Sequence, residues 1–176
     1  QDLDFTTPAR PEVVKEILDE WAETVWDTGI DFGTVSAAYK GQQIEITTFR
    51  SDSYDGQSRN PEVVYGDTLE GDLVRRDFKA NAMAIELLAD ASFKFHDPLH
   101  GLQDIADRVL DTPDKPEISF HDDPLRMLRA ARFASQLEFR VADRVVEAMR
   151  DMAGEIQRIT VERVQDLTHK IARTWP

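Results

Sequence analysis

A chain of 176 residues with 41% hydrophobic and 31% charged residues has room for one good core or two small ones, and it holds no apolar run long enough to span a membrane. The absence of cysteine excludes disulfide scaffolds, Cys-zinc sites and thiol nucleophiles, and is compatible with a reducing cytoplasm. A formal net charge of −13 argues against nucleic-acid binding unless positive charge is gathered into one cleft, and arginines do cluster, at Arg75-Arg76 and at Arg126, Arg129 and Arg132.

The chain opens on Gln1-Asp2-Leu3-Asp4, without Met or a basic-then-apolar leader, so it reads as truncated and without a secretory signal. Residues 2–6 read as a short strand closed by Pro8. Pro11 stands where a helix would start, and 12–26 carries Val13, Val14, Ile17, Leu18, Trp21 and Val25 at helical spacing until Gly29 and Gly33. Segments 34–39 and 43–49 read as strands paired across a tight turn at Lys40-Gly41. A polar loop covers 50–66, a short helix 68–74, a buried strand 82–88 and a further short strand 93–95. Beyond His100 the texture becomes helical: Leu125, Leu128, Ala131, Phe133, Ala134 and Leu137 recur with a helical period, and 141–152 and 160–172 are amphipathic. An α+β first part, a mixed sheet with helices, therefore precedes an all-helical second part. The boundary falls near 111–119, where Pro113 and Pro116 sit.

Asp2 and Asp4 are two apart, and on a strand i and i+2 share a face. Two adjacent carboxylates repel unless a cation lies between them, and Mg²⁺ takes such hard oxygen ligands together with substrate phosphates. Taken alone, the pair reads rather as two ordinary surface acids at a strand end. Glu45, between Ile44 and Ile46, lies on the polar side of a half-buried strand, where it either completes a carboxylate cluster or faces solvent. The string Arg75-Arg76-Asp77-Phe78-Lys79-Ala80-Asn81-Ala82 suits a phosphate and ribose site, with arginine forking onto phosphate and Asp and Asn meeting sugar hydroxyls. The alternative is a helix end with solvated arginines. His96, His100, His121 and His169 have no metal-ligand spacing, and Trp21, Trp26 and Trp175 read as packing residues.

Taken in order, these blocks resemble the class II tRNA nucleotidyltransferase and bacterial poly(A) polymerase family. Asp2-Leu3-Asp4-Phe5 resembles its metal-binding motif, and Ile44-Glu45-Ile46-Thr47-Thr48-Phe49-Arg50 is similar to the strand and turn that follow. The Arg75-Arg76-Asp77 string resembles the ribose-selecting motif. Asp97-Pro98 with Gly101-Leu102-Gln103-Asp104-Ile105 resembles the hinge between head and neck. Asp122-Asp123-Pro124-Leu125-Arg126-Met127-Leu128-Arg129-Ala130-Ala131-Arg132-Phe133 resembles the nucleotide-template helix, and Arg158-Ile159-Thr160-Val161-Glu162-Arg163-Val164 the last neck motif. The chain departs from the family at Asp122, where Glu is usual, and at Lys79, where Thr is usual; the family's Gly-rich turn before the metal aspartates and its body and tail domains are not in this sequence.

The resemblance implies a palm-type nucleotidyltransferase head over 1–111, followed by a helical neck over 112–176. It implies addition of CCA to the 3′ end of tRNA from CTP and ATP with release of pyrophosphate, in the cytoplasm. Poly(A) addition, or a non-catalytic nucleotide- or RNA-binding role, are its rivals. Asp2 and Asp4 would hold Mg²⁺ with Glu45 in support; Arg76 would contact phosphate or sugar; Asp77 and Asn81 would select the ribose; Asp123 and Arg126 would read the base, with Arg129 and Arg132 beside them. Asp123 and Arg126 are three apart, the spacing of one helix face. Cytosine and adenine each pair an exocyclic amino donor with a ring-nitrogen acceptor, which a carboxylate and a guanidinium match; uracil and guanine put a carbonyl where the amino group belongs.

Overall fold

The computed structural model describes residues 3–51 and 64–174. Asp2, one of the two aspartates expected to hold a cation, lies outside the described residues. The fold is α+β, in two compact units, Gln1–Asp72 and Leu73–Pro176.

In the first unit β1 (Leu3–Thr7), α1 (Pro11–Asp19), β2 (Thr24–Trp26), β3 (Thr34–Tyr39) and β4 (Gln42–Thr48) build a mixed sheet in the order β1-β4-β3-β2, with β1 parallel to β4 and the other pairs antiparallel. Lys40 and Gly41, both at positive φ (49° and 75°), make the two-residue turn between β3 and β4, the backbone twist a tight hairpin requires. Val14 and Leu18 of α1 pack against Val35 and Ala37, with Ala9, Ala22, Val25 and Ile46 around them. The alternation expected of a half-covered sheet follows: Ile44 and Ile46 share the α1 side, while Asp4, Thr6, Glu45, Thr47, Thr34 and Ser36 fall on the other. The hydroxyls of Thr34 and Thr47 share a hydrogen bond of 2.9 Å there. A short antiparallel pair, β5 (Arg50–Ser51) with β6 (Val64–Tyr65), follows the sheet, and the Arg50 N–H donates to Asp72 Oδ1 at 3.1 Å.

The helix expected over 12–26 ends at Asp19. Ala22 N–H still reaches the Leu18 carbonyl, but Glu23 N–H donates to Ala38, and 24–26 pairs with β3. Val25 is spaced like a helical residue yet lies opposite Ala37 across the sheet. Pairing with an available sheet edge outweighs local periodicity here.

The second unit follows α2 (Leu69–Val74), which runs across the division. It contains a 3-10 turn at Lys79–Asn81, the hairpin β7 (Ala84–Leu87) and β8 (Phe93–His96), and α3 (Gly101–Ala106). β9 (Val109–Leu110), α4 (Pro116–Asp122), α5 (Leu125–Leu137), β10 (Arg140–Val141), α6 (Asp143–Asp151) and α7 (Val161–Thr174) complete it. The helical half carries one short parallel pairing, β9 with β10, which delays the expected helix at 141 to Asp143. The strand read as buried over 82–88 is exposed: Ile85 and Leu87 stand opposite Phe95 and Phe93, and all four face outward. Two apolar clusters hold the helices. One is Phe120, Met127, Val145 and Ala148; the other is Phe78, Leu110 and Ala130, with Phe133, Ala134, Phe139 and Met149 around them.

The template segment does not form one helix. α4 stops at Asp122; Asp123 is extended (φ −142°, ψ 98°); Pro124, with helical backbone angles (φ −57°, ψ −20°), leads into α5. Asp123 and Arg126 are therefore not residues i and i+3 within one helix, because proline disfavours helical backbone in the residue before it; Asp123 stands just ahead of the first turn, its carbonyl accepting the Arg126 N–H at 3.0 Å.

Candidate functional site

In the first unit the parallel register sets Asp4 directly beside Glu45 on the sheet face away from α1. Asp4 is exposed and Glu45 half-buried, with Glu45 Oε1 accepting a hydrogen bond from Gln43 Nε2 at 3.2 Å. Neighbouring carboxylates on one face repel unless a cation joins them, and their hard oxygens suit a divalent ion of the Mg²⁺ type. Among the described residues no group of three or more metal-capable side chains converges; Asp2, the third residue of the expected cluster, lies outside them.

The second unit assembles the arginine motifs. Asp77, buried, accepts from Asn81 Nδ2 at 2.7 Å on Oδ1 and from Arg129 Nε at 2.6 Å on Oδ2. Asn81 Oδ1 in turn accepts the Phe78 N–H at 3.3 Å, which closes the turn between them. Arg129, expected beside the base, thus reaches back 52 residues to the ribose motif and ties α5 to it. Gly101 is required at this spot: a Cβ there would lie 2.1 Å from the Lys79 carbonyl oxygen, so only glycine lets α3 back onto the turn.

Arg126 is held by two groups, Nη1 donating to Ser119 Oγ at 2.8 Å and Nη2 to the Arg75 carbonyl at 2.6 Å. A guanidinium has five N–H donors, so these bonds orient it and leave others for a ligand. Asp123 caps the start of α5, its Oδ1 accepting the Leu125 N–H at 3.0 Å, while Oδ2 lies 3.6 Å from Arg163 Nη2 of α7. Arg132 stacks over Phe133 at 4.3 Å, and its Nε is buried without a hydrogen-bond partner. Burial, then the neighbouring Arg129, lowers its pKa from the ordinary arginine value. Arg76, expected on phosphate or sugar, donates its backbone N–H to the Leu73 carbonyl. Ser119, Asp111 and Arg144 carry no periodic or motif signal, and their part in this network was not legible in sequence.

Behind the ribose turn lies Asp104, whose Oδ2 is buried and unpartnered. Burial pushes its carboxyl above the ordinary aspartate range; Lys79 opposes this and Asp111 adds to it. A carboxyl raised on folding lowers stability above its folded pKa, and that loss disappears as pH falls through the folded value to below the unfolded one. Asp104→Asn is accordingly expected to raise the thermal midpoint at neutral pH, with the gain shrinking in acid; a lower midpoint at neutral pH would contradict it.

The family model described as the poly A polymerase head domain matches residues 1–111. The CCA-adding enzyme of Lactobacillus helveticus is 40% identical over 166 residues, which are 94% of this chain and 40% of that protein. The CCA-adding enzyme of Listeria monocytogenes is 39% identical over 164 residues, 93% of this chain and 40% of that protein. The crystal structure of the Bacillus stearothermophilus CCA-adding enzyme in complex with CTP superposes with a TM-score of 0.83 at 34% identity, over 97% of this chain and 39% of that one. The complex structure of a CCA-adding enzyme with ATP gives 0.78 at 27% identity, over 98% and 38%. The chain spans about two fifths of the length of the relatives it matches. With its first 111 residues matched by the head-domain model and its sheet and arginine motifs arranged as described, the chain belongs to the poly(A) polymerase head-domain family.

Proposed function

We propose that this chain is the head and neck of a template-independent RNA nucleotidyltransferase that adds CCA to the 3′ end of tRNA from CTP and ATP. Residues 1–111 form its head and 112–176 its helical neck. The observation that carries the reading is the separate anchoring of Asp123 and Arg126: Leu125 and Arg163 hold the carboxylate, while Ser119 and the Arg75 carbonyl hold the guanidinium. Each is oriented by protein and keeps hydrogen-bonding capacity for a base. The relatives named CCA-adding enzymes, and the solved complexes of such enzymes with CTP and with ATP, support the same substrates.

In this reading the RNA 3′-hydroxyl attacks the α-phosphate of CTP or ATP and pyrophosphate leaves. Asp123 accepts from the amino group of cytosine or adenine, and Arg126 donates to the ring nitrogen. Uracil and guanine would set a carbonyl against the carboxylate, and an unmet buried hydrogen bond to a charged group, at about 1–3 kcal/mol, makes selectivity of roughly a hundredfold attainable. Asp77 and Asn81 select the ribose, Arg76 contacts phosphate or sugar, and Arg129, paired with Asp77, and Arg132 stand beside the base-reading pair. Asp2 and Asp4, with Glu45 beside them, would hold Mg²⁺, which supplies charge neutralisation at the reacting phosphate. The protein's own contribution is positioning. The reaction belongs in the cytoplasm, and among the described residues no helix is long and apolar enough to cross a membrane.

Labelled CTP and ATP supplied with Mg²⁺ to the intact protein and a tRNA lacking its terminal CCA are expected to restore that end. Arg126→Ala is expected to lower kcat/KM for CTP by about a hundredfold and to erode discrimination against UTP. Extension of RNA by long A tracts with CTP ignored would make the protein a poly(A) polymerase, and nucleotide binding without incorporation would make it a binding module.

A further inference from the structure

A cluster outside the base and phosphate contacts bears on the ribose motif. Lys79 sits between Asp77 and Asn81, where a charged side chain would naturally be assigned to the triphosphate. Its ammonium instead lies 2.6 Å from Asp111 Oδ2, and its backbone N–H donates to the Asp111 carbonyl at 2.9 Å. The other carboxylate oxygen of Asp111 accepts Arg144 Nε of α6 at 2.7 Å and the Thr112 N–H at 3.0 Å. Arg144 then reaches the carbonyls of Thr112 (2.7 Å) and Asp114 (3.2 Å), in the turn that leads into α4. The Lys79 and Asp111 side chains are 23% and 14% exposed, so water screens this pair less than a surface one.

We propose that Asp111 is a positioning residue for the sugar of the incoming nucleotide, acting through Lys79 and braced by Arg144. The inference rests on the nucleotidyltransferase reading and deepens it. The 3-10 turn is pinned on one side by Gly101 against the Lys79 carbonyl and on the other by Asp111. Release of Lys79 lets the turn relax, and the Asn81 amide then drifts from the Asp77 carboxylate it holds at 2.7 Å. The base-reading residues Asp123 and Arg126 have other anchors, so loss of the clamp falls on ribose selection and leaves base selection in place.

The test compares Lys79→Met, Asp111→Asn, the double variant and Lys79→Arg in the intact protein. The readouts are kcat/KM for CTP over 2′-deoxyCTP, the same ratio for CTP over UTP, equilibrium binding of CTP and 2′-deoxyCTP, and the thermal midpoint. Lys79→Met and Asp111→Asn are each expected to lower the ribose preference roughly fivefold, mainly through KM, with the double variant no worse than either single one and the CTP over UTP ratio unchanged. Lys79→Arg, which keeps the cation, is expected to restore most of the preference. An unchanged ribose preference with only a lower thermal midpoint would overturn the proposal. So would equal losses with both sugars on Lys79→Met while Asp111→Asn is silent, since Lys79 would then serve phosphate. If Asp111→Asn does not fold, Lys79→Met, which leaves Arg144 on Asp111, carries the comparison. A wild type that binds CTP with ribose preference but does not extend RNA overturns the CCA-adding function and leaves the clamp to be judged by binding. A wild type that does not bind CTP overturns both.

Discussion

Asp4→Asn is expected to lower CTP incorporation by on the order of a thousandfold while CTP affinity stays within a few-fold, because the lost interaction matters most as charge develops at the reacting phosphate. Asp4 is exposed on β1, so exchange of one oxygen for an amide leaves the sheet intact, and the thermal midpoint should barely move. What changes is the donor set. Asp4 and Glu45 are register partners on one face, and a neutral amide beside Glu45 removes both their mutual repulsion and one of the charges that attract a cation. Chelation of divalent cations should reproduce the loss in the wild type, and added Mg²⁺ should restore it there but not in the variant. Measured single-turnover rates with a tRNA acceptor decide the matter. An Asp4→Asn protein that retains most of its activity would remove the strand pair from the chemistry.

Phe78→Ala carries the second large effect, a loss of about 3–5 kcal/mol of stability together with weakened CTP binding. The ring is 1% exposed, packs with Leu110 and Ala130, and meets Phe133 edge to face at 5.8 Å and 89°. Removal leaves a cavity that the backbone around it is badly placed to fill. Asp77 hydrogen-bonds on one side of Phe78, and Lys79 is clamped to Asp111 on the other. The same side chain therefore links core packing to the ribose turn, so denaturant midpoint and KM for CTP should move together. Phe78→Leu, which keeps most of the volume, should recover most of both. A stable Phe78→Ala protein with unchanged CTP affinity would separate the turn from the core.

The polar side of the strand that carries Glu45 was legible because a β-strand repeats every two residues and Glu45 lies between two apolar residues, whereas its register opposite Asp4 was one of two readings the sequence left open. The two-residue turn at Lys40-Gly41 was legible for a similar local reason. Local rules also misled. Val25 continues the periodicity of α1 but belongs to β2, and the run over 82–88 looks like a buried strand yet turns Ile85 and Leu87 outward. The single template helix failed on Pro124, whose effect on the preceding residue was present in the sequence but outweighed by the helical spacing around it.

The sequence by itself determined the α+β class, the family through motifs in fixed order, and the polar face of the first sheet. These are properties of neighbours along the chain, and backbone geometry translates their spacing into faces directly. Only the tertiary structure decided which charges meet: Arg129 with Asp77, Arg126 with Ser119 and the Arg75 carbonyl, and Lys79 with Asp111 rather than with open solvent. An ion pair across 52 or 32 residues has no period. Its partners are selected by how buried helices pack, since a charge drawn out of water must find whichever opposite charge the core has brought within reach.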